Sequence, residues 1–366
     1  MNILFINTVP LDKNGISTFI MNNSFFLRKN KNYKVSLSIF NEISYELKNK
    51  LKKNEININI FPSRKKRPLN YFISLARYIK KNNFDIIYVH GNSTSMALEL
   101  FAAYLGGCKV RVAHSHNTET EHPLLNKIMR PAFEMFITNR IACSEEAGKW
   151  LYGNKKFFLI KNGVNVENYA PRLEDRNKIR TNLGLKREDV LLGHIGGLNY
   201  QKNQEFLIDV IKKLDNRYKL VLIGNGQDYN KLHQKIEEYN LENRVFLIGQ
   251  VENVSEYLSA SDVFLMPSRY EGFPFALVEA QASGLVCLVS DTITTNTNIT
   301  NNVHFTSILN TDPWANFLNK NLKNFSFDNR VRDIKIIQKM IRNAGYDSEK
   351  NGVYLSKVLE DMVLSN

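Results

Sequence analysis

Cysteine is scarce in this 366-residue chain: Cys108, Cys143 and Cys287 are the only three, far apart and odd in number. That excludes a disulfide framework and a C-x-x-C metal or redox site, and it fits a reducing compartment. Proline (9) and glycine (18) are also few, which excludes collagen-like and low-complexity chains. No apolar run approaches the roughly 18 residues that a spanning helix needs. The N-terminus passes from Met1-Asn2 straight into the apolar stretch Ile3 to Val9, without the basic region and small-residue cleavage site of a secretory signal. The expected location is cytoplasmic, with any membrane contact peripheral at the inner face. Acidic residues are scarce only in the first half. Up to Lys161 there are 25 basic and 11 acidic residues, and beyond it 24 and 25, so the first half carries the whole net charge of +13. Such a field favours an anionic partner, whether nucleic acid, an acidic membrane surface or a phosphorylated substrate. The plain alternative is a solvated lysine-rich surface.

What is present is an alternation of short Ile/Val/Phe-rich runs with longer amphipathic stretches, the pattern of parallel strands joined by helical crossovers. It predicts strands over 3–9, 34–40, 56–61, 86–90, 110–114, 140–143 and 157–161, then over 190–195, 219–223, 245–248, 263–266 and 286–290. Helices are predicted over 69–80, with Leu69, Phe72, Ile73, Ala76 and Ile79 on one face, and over 203–214, 229–239, 254–259 and 275–283. The polar segment from Asn162 to Asp189 contains Gly163, Pro171 and Gly184 and is expected to be a linker. The fold class is therefore α/β, with two doubly wound parallel-sheet domains facing a cleft where their strands end. Expected boundaries are 1–168 for a first, acceptor-side domain and 169–345 for a second, donor-binding one. A last helical segment, 346–366, caps the second domain or crosses back to the first.

The densest chemistry lies in Ser268-Arg269-Tyr-Glu271-Gly-Phe273-Pro274-Phe275-Ala276-Leu-Val-Glu279, which follows a strand and opens a helix. Pro274 suits a first helical turn, where a missing N–H costs nothing. The amides of Phe275 and Ala276 then form a ready phosphate site. Glu279 stands about one turn further on, within reach of the sugar of a nucleotide bound there. Two glutamates eight positions apart are also compatible with a surface acid and a helix acid.

The whole constellation resembles the retaining nucleotide-sugar glycosyltransferases of family 4, two Rossmann-like domains in the GT-B arrangement. Glu271 and Glu279 match that family's pair of acids. Asn14-Gly15-Ile-Ser17 resembles its donor-phosphate loop after the first strand, and Val112-Ala-His114-Ser-His116-Asn117 its histidine-bearing strand. Ile160-Lys-Asn162-Gly163-Val164 resembles the Asn-Gly-Val motif between domains. Gly193-His-Ile-Gly196-Gly197-Leu-Asn-Tyr-Gln-Lys202 and Ile223-Gly-Asn-Gly226 resemble turns of the second domain. The pattern is most similar to bacterial members that build capsular or exopolysaccharide repeat units.

That resemblance implies a transferase moving a sugar from a nucleoside diphosphate, UDP for preference, to a lipid-linked saccharide. Glu271, His116 and Lys202 are its implied catalytic residues. Gly15, His114, Gly197, Lys202, Arg269, Val251, Phe273, Pro274, Phe275, Ala276 and Glu279 are its implied donor-binding residues. A leaving diphosphate needs preorganised donors, and Lys202, the Gly15 loop and the helix start at Phe275 supply them. The chain has no Asp-x-Asp, so neither a metal nor another cofactor is expected. The basic first half, with Arg64-Lys65-Lys66-Arg67 ahead of Leu69 and Phe72, is expected to meet anionic lipid. Gly197 departs from the family, which commonly has an arginine there; a neighbouring cation such as Arg269 could substitute. Two other readings stand beside this one: a non-catalytic donor-binding or membrane-recruiting partner, and a sugar-nucleotide epimerase, which the paired glutamates disfavour. Nucleic acid is not an expected partner, since no zinc spacing, RNP-like aromatic motif or helix-turn-helix accompanies the charge.

Overall fold

The structure is a computed structural model and describes residues 1–11, 15–120, 122–271 and 274–365. The chain divides into two units, Met1–Gly163 with Ser348–Asn366, and Val164–Asp347.

In the first unit β1 (Asn2–Asn7), β2 (Lys34–Ile39), β3 (Asn57–Ile60), β4 (Ile86–Gly91), β5 (Val110–Ser115), β6 (Asn139–Ala142) and β7 (Phe158–Leu159) form a parallel sheet. Its order is β3-β2-β1-β4-β5-β6-β7. The central strands are covered on both faces, so they are continuous apolar runs rather than alternating ones: Ile3 to Ile6 and Ile86 to Val89 are at most 1% exposed. The crossovers are α1 (Gly15–Lys31), α2 (Tyr45–Lys53), α3 (Pro68–Asn82), α4 (Ala97–Leu105), α5 (Pro123–Phe136) and α6 (Glu145–Tyr152). Local chemistry sets their ends. Ser144 caps α6 by accepting from Ala147 N, with Glu145 and Glu146 complementing the dipole in the first turn. α3 begins at Pro68 and stops at Asn83, whose φ of 46° is left-handed.

α3 corrects the expected helical face. Tyr71, Leu75 and Ile79, four residues apart, point into the core beside Leu4, Ile6 and Phe61. Leu69 and Ile73 are left outside, 74% and 43% exposed. The large Tyr71 and Leu75 rotate the helix toward themselves.

The second unit repeats the plan with β8 (Val190–Ile195), β9 (Tyr218–Ile223), β10 (Val245–Gly249), β11 (Val263–Met266), β12 (Val286–Ser290) and β13 (Val303–Thr306), ordered β10-β9-β8-β11-β12-β13. Its helices are α7 (Leu173–Asn182), α8 (Gln204–Lys213), α9 (Tyr229–Glu238), α10 (Val254–Ala260), α11 (Phe275–Ala282), α12 (Asp312–Lys320) and α13 (Phe327–Asn343). The expected linker is folded: α7 occupies much of it. Its polar sequence hides the helix because Arg176 and Arg180 are spent on Asp262, at 2.7 and 3.1 Å, while Ile179 is buried with Leu191, Val221 and Ile223. β13 and α12 were not anticipated either, since Asn and Thr dominate the approach to them. The last helix, α14 (Ser348–Leu364), belongs to the first unit and packs on α1; a Cβ at Gly352 would come within 2.5 Å of the Phe26 ring.

Each strand order reverses direction once, between β1 and β4 and between β8 and β11. Loops leaving the carboxyl ends of those strands diverge, and the crevice they open is where such sheets bind ligands.

Candidate active site

Two loops leave the switch point of the second sheet. One runs from β8 through Gly196 and Gly197 to Lys202, the other from β11 through Ser268 to Glu271. Arg269 N donates to Gln201 O at 2.8 Å and joins them. The turn after β9 supports the first loop from below. At Gly224, with φ of 143°, a Cβ would fall 2.0 Å from Gly196 O, and at Gly226 one would fall 2.2 Å from Leu198 O, so neither position admits a side chain.

Lys202 Nζ donates to Glu271 Oε1 at 2.5 Å, with the lysine side chain 19% and the glutamate 7% exposed. The second carboxylate oxygen meets Gln201 Nε2 at 3.5 Å, the outer limit of a hydrogen bond, so it has capacity for a ligand hydroxyl. Withdrawing both charges from water is costly, and their close approach offsets part of that cost. Arg269 braces the loop: its guanidinium lies 4.4 Å from the Tyr200 ring centre, and Nη2 donates to Asn203 Oδ1 at 2.8 Å. Gly197 is exposed, and a Cβ there would stand 3.3 Å from Asn199 Nδ2.

α11 starts beside this pair. Pro274 occupies its cap, and Phe275 and Ala276 supply its first amides. One turn on, Glu279 Oε1 accepts from Tyr169 Oη at 2.8 Å. Burial raises the Glu279 carboxyl above its ordinary range, against the lowering effect of that bond. Tyr169 in turn is pushed far up, by burial first and then by the carboxylate beside it.

The first unit's switch point holds imidazoles instead. His90 is the last residue but one of β4, directly paired with His114 on β5, and His116 follows just past the end of β5. His90 Nδ1 lies 2.9 Å from His116 Nε2, and Tyr88 Oη lies 2.9 Å from His114 Nδ1. The His114 and His116 rings stack with centres 4.0 Å apart, and Phe19 meets both edge-on. Burial drives all three below the usual histidine range, His116 to about 3, and the neighbouring imidazoles lower His90 and His114 further. They are neutral at pH 7. His90 Nε2, His114 Nε2 and His116 Nδ1 have no partner. Among the described residues this is the one group of His, Cys, Asp or Glu with metal-like spacing, its ring nitrogens lying within 4.8 Å of one another.

Residues 175–333, within the second unit and around the Lys202–Glu271 pair, match the family model for glycosyl transferases group 1. EpsF of Bacillus subtilis is 34% identical over 242 residues, 62% of this chain and 63% of that protein. The UDP-Gal:alpha-D-GlcNAc-diphosphoundecaprenol alpha-1,3-galactosyltransferase of Escherichia coli is 29% identical over 322 residues, 82% of this chain and 81% of that one. The second unit carries a group 1 glycosyltransferase domain. The chain's fold is also that of a solved structure, Anabaena HepE in complex with UDP and glucose, with a TM-score of 0.81 and 17% identity over 99% of this chain and 100% of that one. The GT-B class expected from the sequence is the class observed.

Lys202, Arg269, Glu271, Pro274, Phe275, Ala276, Glu279 and Gly197 all belong to the second unit and lie at or beside the β8/β11 switch point. Val251 follows β10 and packs beside Ile248 and Tyr257. Gly15, His114 and His116 belong to the first unit, where Gly15 opens α1 beyond β1. Phe273 and Asn14 lie outside the described residues. Two participants were missed. His90 is a strand-end histidine like His114, and strand pairing alone brings them together. Tyr169 closes the stretch that starts at Asn162, and nothing local signals that it would meet an acid on α11.

Proposed function

We propose that the chain is a retaining, metal-independent transferase that moves a sugar from a UDP-sugar to a lipid-linked saccharide at an anionic membrane surface, in assembly of a bacterial capsular or exopolysaccharide repeat. The observation that carries this reading is the Lys202–Glu271 pair at the mouth of the second sheet, beside the amides that open α11. As the donor's glycosidic bond breaks, negative charge grows on the diphosphate. The Lys202 ammonium and the Phe275 and Ala276 amides stabilise it without reorganising. Glu271, held by Lys202 through Oε1, accepts from donor-sugar hydroxyls with Oε2, and Glu279 accepts from the ribose while Tyr169 holds its other oxygen. In the first unit His116 keeps an unpartnered Nδ1, and His114, tied to Tyr88, stacks on it. The diphosphate oxygen assists removal of the acceptor proton on the face that the leaving group vacates, which retains configuration.

Two relatives support the chemistry by what their names state: the Escherichia coli protein uses UDP-Gal and a diphosphoundecaprenol acceptor, and HepE binds UDP and glucose. A second reading, a donor-binding subunit without activity, is favoured by Gly197 alone. Release of UDP by the purified chain from UDP-sugars, with and without an undecaprenyl-diphosphate-linked saccharide and with chelator present, separates the two. Acceptor-dependent release that survives chelation supports the transferase; donor binding with no release supports the subunit.

A further inference from the structure

An ordinary crossover helix buries one face and shows water a polar one, yet α5 is apolar on both. Phe133 is buried, with Met129, Ala132 and Phe136 packed beside it in the core. The outer face carries Leu124, Ile128 and Met135, 72%, 64% and 72% exposed, with Pro131 completing a stripe at helical spacing. Leaving such a stripe in water forgoes its burial, and a contiguous exposed patch of this kind marks an interaction surface.

The start of α5 is tied to the start of α3. Thr94 N and Oγ1 donate to Asn126 Oδ1 and O at 2.8 and 2.6 Å. One residue on, Ser95 O accepts from Arg64 Nη2 at 2.6 Å, and Arg64 also pairs with the buried Glu99. The 94–99 segment thus clamps both helix starts, with α4 packed between α3 and α5. Leu69 therefore stands exposed on the same end of the unit as Leu124 and Leu125. Lys65, Lys66 and Arg67, all exposed, precede it, and exposed Lys127 sits within the α5 stripe. Arg64 alone of the basic run is consumed internally, which leaves the other three cations free of the fold's own needs. Because these helices begin where β3, β4 and β5 end, the patch also lies at the end of the sheet where His90 and His116 emerge.

We propose that the joined starts of α3 and α5 are the membrane-docking surface of this protein, with the Leu69, Leu124 and Ile128 side chains entering the interface of an anionic bilayer and Lys65, Lys66, Arg67 and Lys127 meeting its phosphates. The charge beside the apolar side chains selects an acidic lipid surface as occupant; a protein groove would not require four unpaired cations around it. This deepens the membrane partner of the proposed function, and rests on that reading only for its purpose: it holds a lipid-borne acceptor at the end of the unit from which His116 is reached.

The test uses the full chain and cosedimentation with phosphatidylglycerol/phosphatidylcholine vesicles, against vesicles of phosphatidylcholine alone. The wild-type chain is expected to bind the acidic vesicles. Replacing Lys65, Lys66 and Arg67 together by alanine is expected to weaken binding roughly a hundred-fold at low salt, from about five-fold per cation, and the deficit should shrink as salt is raised. Leu124→Ser with Ile128→Ser is expected to weaken binding at every salt concentration, and because both side chains are exposed the melting temperature should not move. Parallel UDP release with a water-soluble acceptor should be unchanged in both variants. Equal vesicle binding by wild type and both variants, or self-association through the patch without vesicle binding, would overturn the surface while leaving the transferase reading intact. Normal vesicle binding without any transfer would instead sink the transferase reading and spare the surface.

Discussion

At the first sheet's switch point three neutral imidazoles cluster, His114 and His116 stacked and His90 tilted against both, whereas at the second an ammonium and a carboxylate face each other across 2.5 Å. Both places are the same topological position on similar sheets. The side chains that occupy them differ in charge and hydrogen-bonding capacity. A neutral imidazole in an aromatic wall can exchange hydrogen bonds with uncharged polar groups. A lysine beside a helix start suits a group whose negative charge grows during reaction. Fold symmetry here carries no symmetry of chemistry, which is why a site must be argued from residues and not from architecture.

Removing the charge from the second site breaks the contrast most severely. Lys202→Ala is expected to lower kcat/KM by about a hundred- to a thousand-fold, the scale seen when one preorganised donor to a developing anion is lost. Steady-state UDP release checks it, and a loss of less than five-fold, on the order of 1 kcal/mol, would remove the lysine from the site.

Acid sharpens the contrast next. The three lowered imidazoles of the first unit contribute stability that is fully present above about 6.5 and is lost as pH falls toward their folded values, about 3 for His116, at up to about 1.4 kcal/mol per pH unit each. Among the described residues the second unit has two histidines lowered by burial, His194 to about 4 and the less buried His304. Its raised Glu279 acts with the opposite sign, stabilising below the ordinary carboxylate range and losing that contribution as pH rises through its folded value. Hydrogen exchange followed between pH 7 and pH 5 should therefore show the first unit loosening before the second. Equal slopes in the two units would contradict the burial argument.

A smaller effect separates the two acids of the second site. Glu279→Ala should weaken UDP binding by roughly ten-fold, and Tyr169→Phe by only a few-fold, since the phenol orients the acid and a neutral hydrogen bond contributes about 1 kcal/mol. Calorimetric titration with UDP checks both; a tyrosine variant as damaged as the glutamate one would mean that Tyr169 touches ligand itself. The least disruptive change is Gly197→Arg. Its position is exposed, and the one tight neighbour of a Cβ there, Asn199 Nδ2 at 3.3 Å, is the end of a side chain that can shift, so stability should stay within about 0.5 kcal/mol of wild type, while UDP affinity rises through a second cation. A large fall in melting temperature would show that the loop has no room for it.

Much of this was legible in the sequence, for identifiable reasons. Buried parallel strands are uninterrupted Ile/Val/Leu runs, so nearly all of both sheets could be placed, and loops at strand ends carry recognisable residues such as Gly196 to Lys202. α7 was hidden because its arginines serve Asp262 rather than water, and polar composition resembles a linker when its charges are paired. β13 was hidden by the Asn/Thr-rich approach to it. The facing of α3 was misjudged because two apolar stripes compete on that helix, and only the size of the core beneath Tyr71 and Leu75 decides between them. His90 and Tyr169 needed pairings across 24 and 110 residues that no local pattern encodes.

The central claim, that the second unit grips a nucleoside diphosphate between Lys202, the start of α11 and two acids, is tested most directly by a thermal-shift panel across UDP-, GDP- and ADP-sugars on the wild type and on Glu279→Ala. The account predicts selective stabilisation by the UDP-sugars that is largely lost in the variant. Stabilisation by none of the nucleotides, or an identical response from the variant, would contradict it.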